Sequence, residues 1–461
     1  MYTELFRLCG FEDAEIERES PRIDKALKKL EIDAEDCRRA EDRVKRYFSI
    51  DLVGVRKCLG LGLKELIDLV LAKEEGKKLV YTSVPPPAGL CLSLNMAGVW
   101  CQVPESVLAL GIGQIFGKLA PIMESAEEHG LPPAVAACGY HQVRLGGMVK
   151  GIIPLPDAVI SSGFFCDQSP KVYELIHEVH GVHIVELDGC VDSNWGEWPE
   201  IPERRVRLYA DDIKEAAEEL ERVLGIELTE ETLNAGWRKY MDMRLRAQRV
   251  IELSKAEPMP ISHVDLNPFW RLVSSAGGRG LEEGLEVIDV FTKDVEKRVE
   301  EGKGVVEKGA PSVAFLINSV TDPAIVRMFE ECGLAMRGPL VYYMPSLQRA
   351  ESKFTHLEER TVEAMLRRGL YHSTPGCISV LEESIKAMNP DALLWYYHFS
   401  CRASSPQALI IKKSIENDLG IPVLLLEGDV FDERSYTAEV LRTRVEAFAD
   451  MLREHKAAQR A

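Results

Sequence analysis

Nowhere among the 11 cysteines of this 461-residue chain do two stand as a Cys-X-X-Cys pair. That absence disfavours zinc ribbons, thioredoxin-type redox centres and ferredoxin-type inserts, which set two thiolates on one tight turn. Long apolar runs are missing as well, and none approaches the roughly 18 residues of a membrane-spanning helix. A basic surface is also lacking. With 56 Lys and Arg against 74 Asp and Glu the net charge is −18, so nucleic acid is not an expected partner. The opening MYTELFRLCGFEDAEIERES has neither a basic start nor an apolar centre. No secretory signal is expected from it, and an odd cysteine count fits a reducing cytoplasm. No nicotinamide or flavin motif is present. GIGQIFG (111–117) misses the dinucleotide spacing and reads as close helix packing.

What is there is ordinary globular composition, 46% hydrophobic and 28% charged, in a chain long enough for two or three domains. Residues 1–85 read as a helical N-terminal segment, with apolar positions at helical spacing and nothing that alternates like a strand, closed by Pro85–Pro87. Residues 86–229 read as a first α/β unit, with buried strands expected at 134–138, 158–166 and 182–187. Residues 230–305 form a helical connection. Residues 306–461 form a second α/β unit, with strands expected at 312–318, 339–344, 392–401 and 421–429. Short apolar strands alternating with helices imply parallel sheets covered on both faces. The expected fold class is therefore α/β: two flavodoxin-like units, a helical N-terminal segment and a helical connection.

In such sheets ligands collect beyond the carboxyl ends of the strands. Cys138 follows AVAA, Cys166 follows AVISSGFF, and Cys401 follows LLWYYHFS; each stands before a helix entry. A core cysteine belongs mid-strand, whereas thiolates from different strands can converge only at strand ends. Iron–sulfur clusters need thiolates and are tuned by nearby helix N-termini and backbone N–H groups. Three thiolates would leave one iron open, as catalysis requires.

Two segments then point to a family. ACGYHQVRLGGMVKG…PDAVISSGFFCDQSPKVYELI and LLWYYHFSCRASSPQALIIKKSIENDLGIPVLLLEGDVFDERSYTAEVLRTRVEAF resemble the 2-hydroxyacyl-CoA dehydratase and benzoyl-CoA reductase subunits. Cys138, Cys166-Asp167-Gln168, Cys401, Ile421–Asp429 and Thr443–Phe448 match in order, within a resemblance spanning roughly residues 90–450. It implies one [4Fe-4S] cluster held by Cys138, Cys166 and Cys401, and electrons from an ATP-hydrolysing iron–sulfur activator. The implied reaction is ketyl-radical dehydration of a 2-hydroxyacyl-CoA, or reduction of an aromatic acyl-CoA. A homologous second subunit, or a second copy of the chain, is implied as partner. The same superfamily includes double-cubane [8Fe-9S] proteins that reduce small molecules and need about twice as many thiolates. Cys101, Cys190 and Cys377 are the possible extras, though a buried thiol is the commoner role for each. A third alternative is a non-catalytic subunit that relays electrons.

Other residues carry weaker expectations. His141 and His398 lie three residues from a proposed ligand and are candidate catalytic proton donors. Trp100, Trp195 and Trp198 could wall a pocket. Arg144, Lys150, Lys412 and Lys413 are candidates for a CoA phosphate. Glu427 and Asp429 could serve as acid or base, or cap a helix. GGRGLEEG (277–284) reads as a loop opening a helix.

Overall fold

A computed structural model describes residues 2–460 apart from 84–86, 133–137, 164–165, 188–200, 276–282, 317–319, 341–351, 368–373 and 403. The chain divides into two compact units. The first comprises Met1–Gly189, Asp211–Ala247 and Pro268–Asp294; the second comprises Cys190–Ala210, Gln248–Asn267 and Val295–Ala461. No helix among the described residues is long and apolar enough to cross a membrane.

The chain opens with α1 (Thr3–Leu8), α2 (Asp13–Lys29), α3 (Ala34–Tyr47) and α4 (Val53–Leu71). Asp33 starts α3 through a capping box with Asp36, which satisfies backbone donors that the first turn leaves open. α4 is buried along most of its length. Then come β1 (Lys78–Thr82), α5 (Ala88–Met96), β2 (Val99–Gln102), α6 (Pro104–Leu108), a π-helical stretch (Ala109–Phe116), α7 (Ala120–Glu128) and α8 (Gly139–Val149). After β3 (Ala158–Ser162), α9 (Gln168–His180) and β4 (His183–Leu187) stand the long helices α10 (Glu203–Leu224), α11 (Glu230–Ser254), α12 (His263–Ser275) and α13 (Glu283–Glu300). The remainder is β5 (Ser312–Phe315), α14 (Pro323–Glu331), β6 (Ala335–Arg337), α15 (Leu357–Leu366), α16 (Thr374–Met388), β7 (Ala392–His398), α17 (Ala408–Leu419), β8 (Val423–Gly428) and α18 (Ala438–Arg460).

The strands form two parallel sheets, ordered β2-β1-β3-β4 and β6-β5-β7-β8. Each unit thus has the strand order 2-1-3-4, the beginning of the flavodoxin-like arrangement. The α/β reading with two flavodoxin-like units stands.

Both sheets are fastened at their amino ends by one device. Pro-Asp-Ala opens the third strand of each, at 156–158 and 390–392. Asp157 N–H donates to the Leu79 carbonyl at 2.8 Å, and Leu79 N–H donates to Asp157 Oδ2 at 2.7 Å. Asp391 does the same with Ser312, at 2.8 and 2.7 Å. Lys73 pairs with Asp157 at 2.5 Å and Lys456 with Asp391 at 2.8 Å.

Three strands depart from the sequence expectation. β1 starts inside the segment read as wholly helical. Its Leu79, Val80, Tyr81 and Thr82 are all fully buried, so it shows a continuous apolar run rather than alternation. β2 is an edge strand of four residues. At 339–344, Pro339 and Leu340 lie outside any strand and 341–344 fall outside the described residues. The edge strand is instead β6, which stops before Gly338 and Pro339, because proline has no N–H to give the ladder. The strand expected at 134–138 also falls, up to Ala137, outside the described residues.

Candidate functional site

Where strand order reverses, adjacent connections leave on opposite faces and open a crevice at the carboxyl edge. In these sheets the reversal lies between β1 and β3, and between β5 and β7. Cys166 follows β3 and Cys401 follows β7. The two sequence-predicted thiols therefore occupy equivalent places, each after the third strand of its unit.

Cys138 is the N-cap of α8, with extended backbone (φ −82°, ψ 165°) and no side-chain capping bond. The helix it opens, GYHQVRLGGMV, holds three glycines, each costing about 1 kcal/mol of helix propensity against alanine. Tertiary packing offsets that cost, since Gly139 and every residue from His141 to Met148 is buried. Gly146 allows the approach: a Cβ there would lie on the Ile122 carbonyl of α7, inside the 3.0 Å that real Cβ atoms keep.

Cys166 precedes α9, and Ser169 N–H donates to its carbonyl at 3.3 Å. The helix ends at Gly181 in the left-handed region (φ 68°), which lacks a Cβ penalty for glycine. Cys166 Sγ lies 3.5 Å from Nε2 of His141, which is 3% exposed in the first full turn of α8. Thus the first unit brings Cys166, His141 and the start of the Cys138 helix to one neighbourhood.

In the second unit, β7 ends at His398 and a short turn leads to Cys401, whose N–H donates to the His398 carbonyl at 3.2 Å. Ser405 N–H donates to the Cys401 carbonyl at 2.9 Å, and Ser405 Oγ to the His398 carbonyl. The His398 ring stacks on Phe431, its Nδ1 accepts from Val430 N–H at 3.4 Å, and Asp429 Oδ2 is 3.5 Å away. Asp429 itself is buried and caps its own turn, accepting from Phe431 N–H at 2.8 Å. Glu427 is exposed.

The remaining candidates separate. Arg144 is fully buried and ion-paired to Glu105, so it is withdrawn from the set of phosphate-binding cations. Lys150 pairs with Glu31 at 2.9 Å, Lys412 is engaged by Glu416 and the Val423 carbonyl, and Lys413 is exposed. Trp100 is buried in β2. Cys101 packs against Cys91, and burial pushes its thiol well up. Cys377 is 1% exposed, with its thiol pushed up to about 12 by burial. Cys190, Trp195, Trp198 and residues 277–282 lie outside the described residues. No described cysteine is in a disulfide. Among the described residues, no three His, Cys, Asp or Glu side chains are grouped to hold a metal ion. Sequence reasoning missed Glu105 and Ser169, whose link to Arg144 spans 39 and 25 residues and leaves no local pattern.

Comparison with known proteins places these features in a family. Residues 100–452 match the family model of the 2-hydroxyglutaryl-CoA dehydratase D-component. The chain is 24% identical to the (R)-phenyllactyl-CoA dehydratase alpha subunit of Clostridium sporogenes over 408 residues, covering 84% of this chain and 93% of that protein. It is 22% identical to the alpha subunit of (R)-2-hydroxyglutaryl-CoA dehydratase of Acidaminococcus fermentans over 309 residues, 65% of this chain and 61% of that one. A benzoyl-CoA reductase subunit of Thauera aromatica is 23% identical over 411 residues, 82% and 90% of the two chains. The match to the family model covers well over half of the sequence, and the chain belongs to the 2-hydroxyglutaryl-CoA dehydratase D-component family.

Proposed function

We propose that this chain is an iron–sulfur subunit for electron-activated dehydration of a 2-hydroxyacyl-CoA, or reduction of an acyl-CoA. Electrons come from an ATP-hydrolysing activator, and a homologous subunit or second copy completes the enzyme. Cys138, Cys166 and Cys401 would hold a [4Fe-4S] cluster. The observation that carries this reading is the placement of Cys166 beside His141, at the start of the helix that Cys138 caps. The donor set fits: soft thiols before helix N-termini, two of them after strands where the order reverses, suit an anionic cluster. Such a cluster supplies single electrons at low potential.

The chain's own residues then divide the work. The α8 and α9 termini orient the two thiols of the first unit, and the Cys401 turn is fixed by its bonds to His398 and Ser405. His398 lies against Phe431 with Asp429 Oδ2 3.5 Å from its Nδ1, and the imidazolium that Asp429 would pair with has a proton at Nε2 to give a leaving hydroxide. His141, with Nε2 3.5 Å from Cys166 Sγ, is the second group able to carry a proton.

The double-cubane alternative draws on Cys101, Cys190 and Cys377. Burial raises the Cys101 and Cys377 thiols, so neither is poised as a thiolate, and a single four-iron cluster is the better fit. Anaerobic reconstitution with iron and sulfide counting tests this: about four irons per chain are expected. About eight would refute the single cluster, and an iron-free wild type would refute the proposal as a whole. Cys166→Ser should lose most of the iron.

A further inference from the structure

Arg144 is among the largest fully buried side chains of the protein. Its Nε donates to Glu105 Oε1 at 2.5 Å, and its Nη2 pairs with the same oxygen. Its Nη1 donates to Ser169 Oγ at 3.3 Å. The guanidinium carbon lies 4.2 Å from the centre of the Tyr173 ring, a cation–π contact. Glu105 is equally buried, and its Oε2 meets no hydrogen-bond donor among the described residues. Burial pushes the Glu105 carboxyl up, while the Arg144 guanidinium pulls it back.

Buried ion pairs rarely add net stability, since desolvation consumes most of the attraction and apolar residues of like volume often do as well. The location gives this one another purpose. Glu105 stands on α6, Arg144 on α8, and Ser169 and Tyr173 on α9. α8 is the helix that Cys138 opens. α9 is the helix that follows Cys166, and Ser169 is already bonded to the Cys166 carbonyl. A planar guanidinium with donors in a fixed fork can hold two partners at once, which a lysine ammonium does less rigidly. We propose that the Glu105–Arg144–Ser169 chain is a positioning device, which sets the separation of the Cys138 and Cys166 helix starts for one cluster. It rests on the iron–sulfur reading above.

The test uses anaerobically reconstituted full-length protein and three readouts: melting midpoint, iron retained against a chelator, and the electron paramagnetic resonance spectrum of the reduced cluster. Arg144→Met alone strands a buried carboxylate and should melt early. The double variant Glu105→Leu with Arg144→Met removes both charges and should recover the melting midpoint. It should still hold iron roughly tenfold or more weakly, the scale of losses beyond the ligands themselves, with shifted g-values. Ser169→Ala keeps the ion pair and the Tyr173 contact and cuts only the hydrogen bond to α9; it should fold normally and shift the spectrum. A double variant that folds and keeps wild-type iron retention and g-values would show the pair to be structural alone and overturn the proposal. Should the double variant fail to fold, Ser169→Ala decides, and an unchanged spectrum there overturns it equally. A wild type that takes up no iron overturns the iron–sulfur reading first and this proposal with it.

Discussion

Gly146→Ala should separate helix packing from helix propensity at the Cys138 helix. In an exposed helix this exchange stabilises by about 1 kcal/mol. Here the new Cβ would fall on the Ile122 carbonyl oxygen and 2.8 Å from its carbon, against the 3.5–4.0 Å at which carbon atoms attract. The obstacle is backbone, so α8 must retreat from α7 by about 1 Å, a cost of about 1–3 kcal/mol for an overpacked core. Because Cys138 caps α8, the displacement also moves a proposed ligand. Gly147→Ala is the control. Its Cβ would meet only side-chain ends, Leu108 Cδ1 at 3.2 Å and two Ile153 carbons at 3.3 Å, which can yield by a few tenths of an ångström. Denaturant melts and iron counts on both variants check the expectation: Gly146→Ala less stable and iron-poor, Gly147→Ala close to wild type. Wild-type stability and iron in Gly146→Ala, or equal damage in both, would refute the reasoning.

The paired aspartates make a graded prediction. Asp391→Ala loses acceptors for Ser312 N–H and Oγ and for Lys456, about 2–4 kcal/mol for charge-assisted bonds. Asp157→Ala loses only Leu79 N–H and a half-exposed lysine, so a smaller drop in hydrogen-exchange protection of its sheet, about 1–2 kcal/mol, is expected. Equal effects would contradict the bond count. Glu330 gives a pH dependence. Burial pushes its carboxyl up to about 7 from 4.5, so the folded state keeps a proton that the unfolded chain gives up. Its contribution to stability falls as pH rises through that window, by at most ~1.4 kcal/mol per unit. His263, held near 3 by burial, has the opposite slope below 6.5, so the comparison must be differential. Urea melts should show Glu330→Gln gaining on wild type from pH 4.5 to 7, and a constant difference would sink the assignment.

Strands buried on both faces were legible where they were long. The apolar core of β7 is five consecutive buried residues, and no helix period fits them. β1 was not legible, because the four buried residues that follow the exposed turn 73–76 do not alternate, and so short a run carries no period. β6 was hidden by its three-residue length next to the more apolar sequence 339–344, whose Pro339 has no N–H to give a ladder. Cys166 and Cys401 could be found from strand-end position, because the pleat and the following helix announce themselves locally. The Arg144 partnership could not. Its residue type suggested a phosphate ligand, and only the fold brings Glu105 to it.

The shared strand order explains why the proposed ligands number three and not four. Each unit has a helix that leads into its third strand and another that follows it. The following helices start after Cys166 and Cys401 alike. The leading helices, α8 and α16, carry Cys138 and Cys377, so Cys377 is the topological counterpart of Cys138. Their positions within the helix differ. Cys138 is the N-cap, with extended backbone, at the positive end of the helix dipole. Cys377 is the fourth residue of α16 and 1% exposed, and burial drives its thiol up to about 12. A shift of about one helical turn therefore converts a ligand position into a core position. The first unit alone keeps both thiols at helix starts, and there the Glu105–Arg144–Ser169 link joins the two helices that bear them.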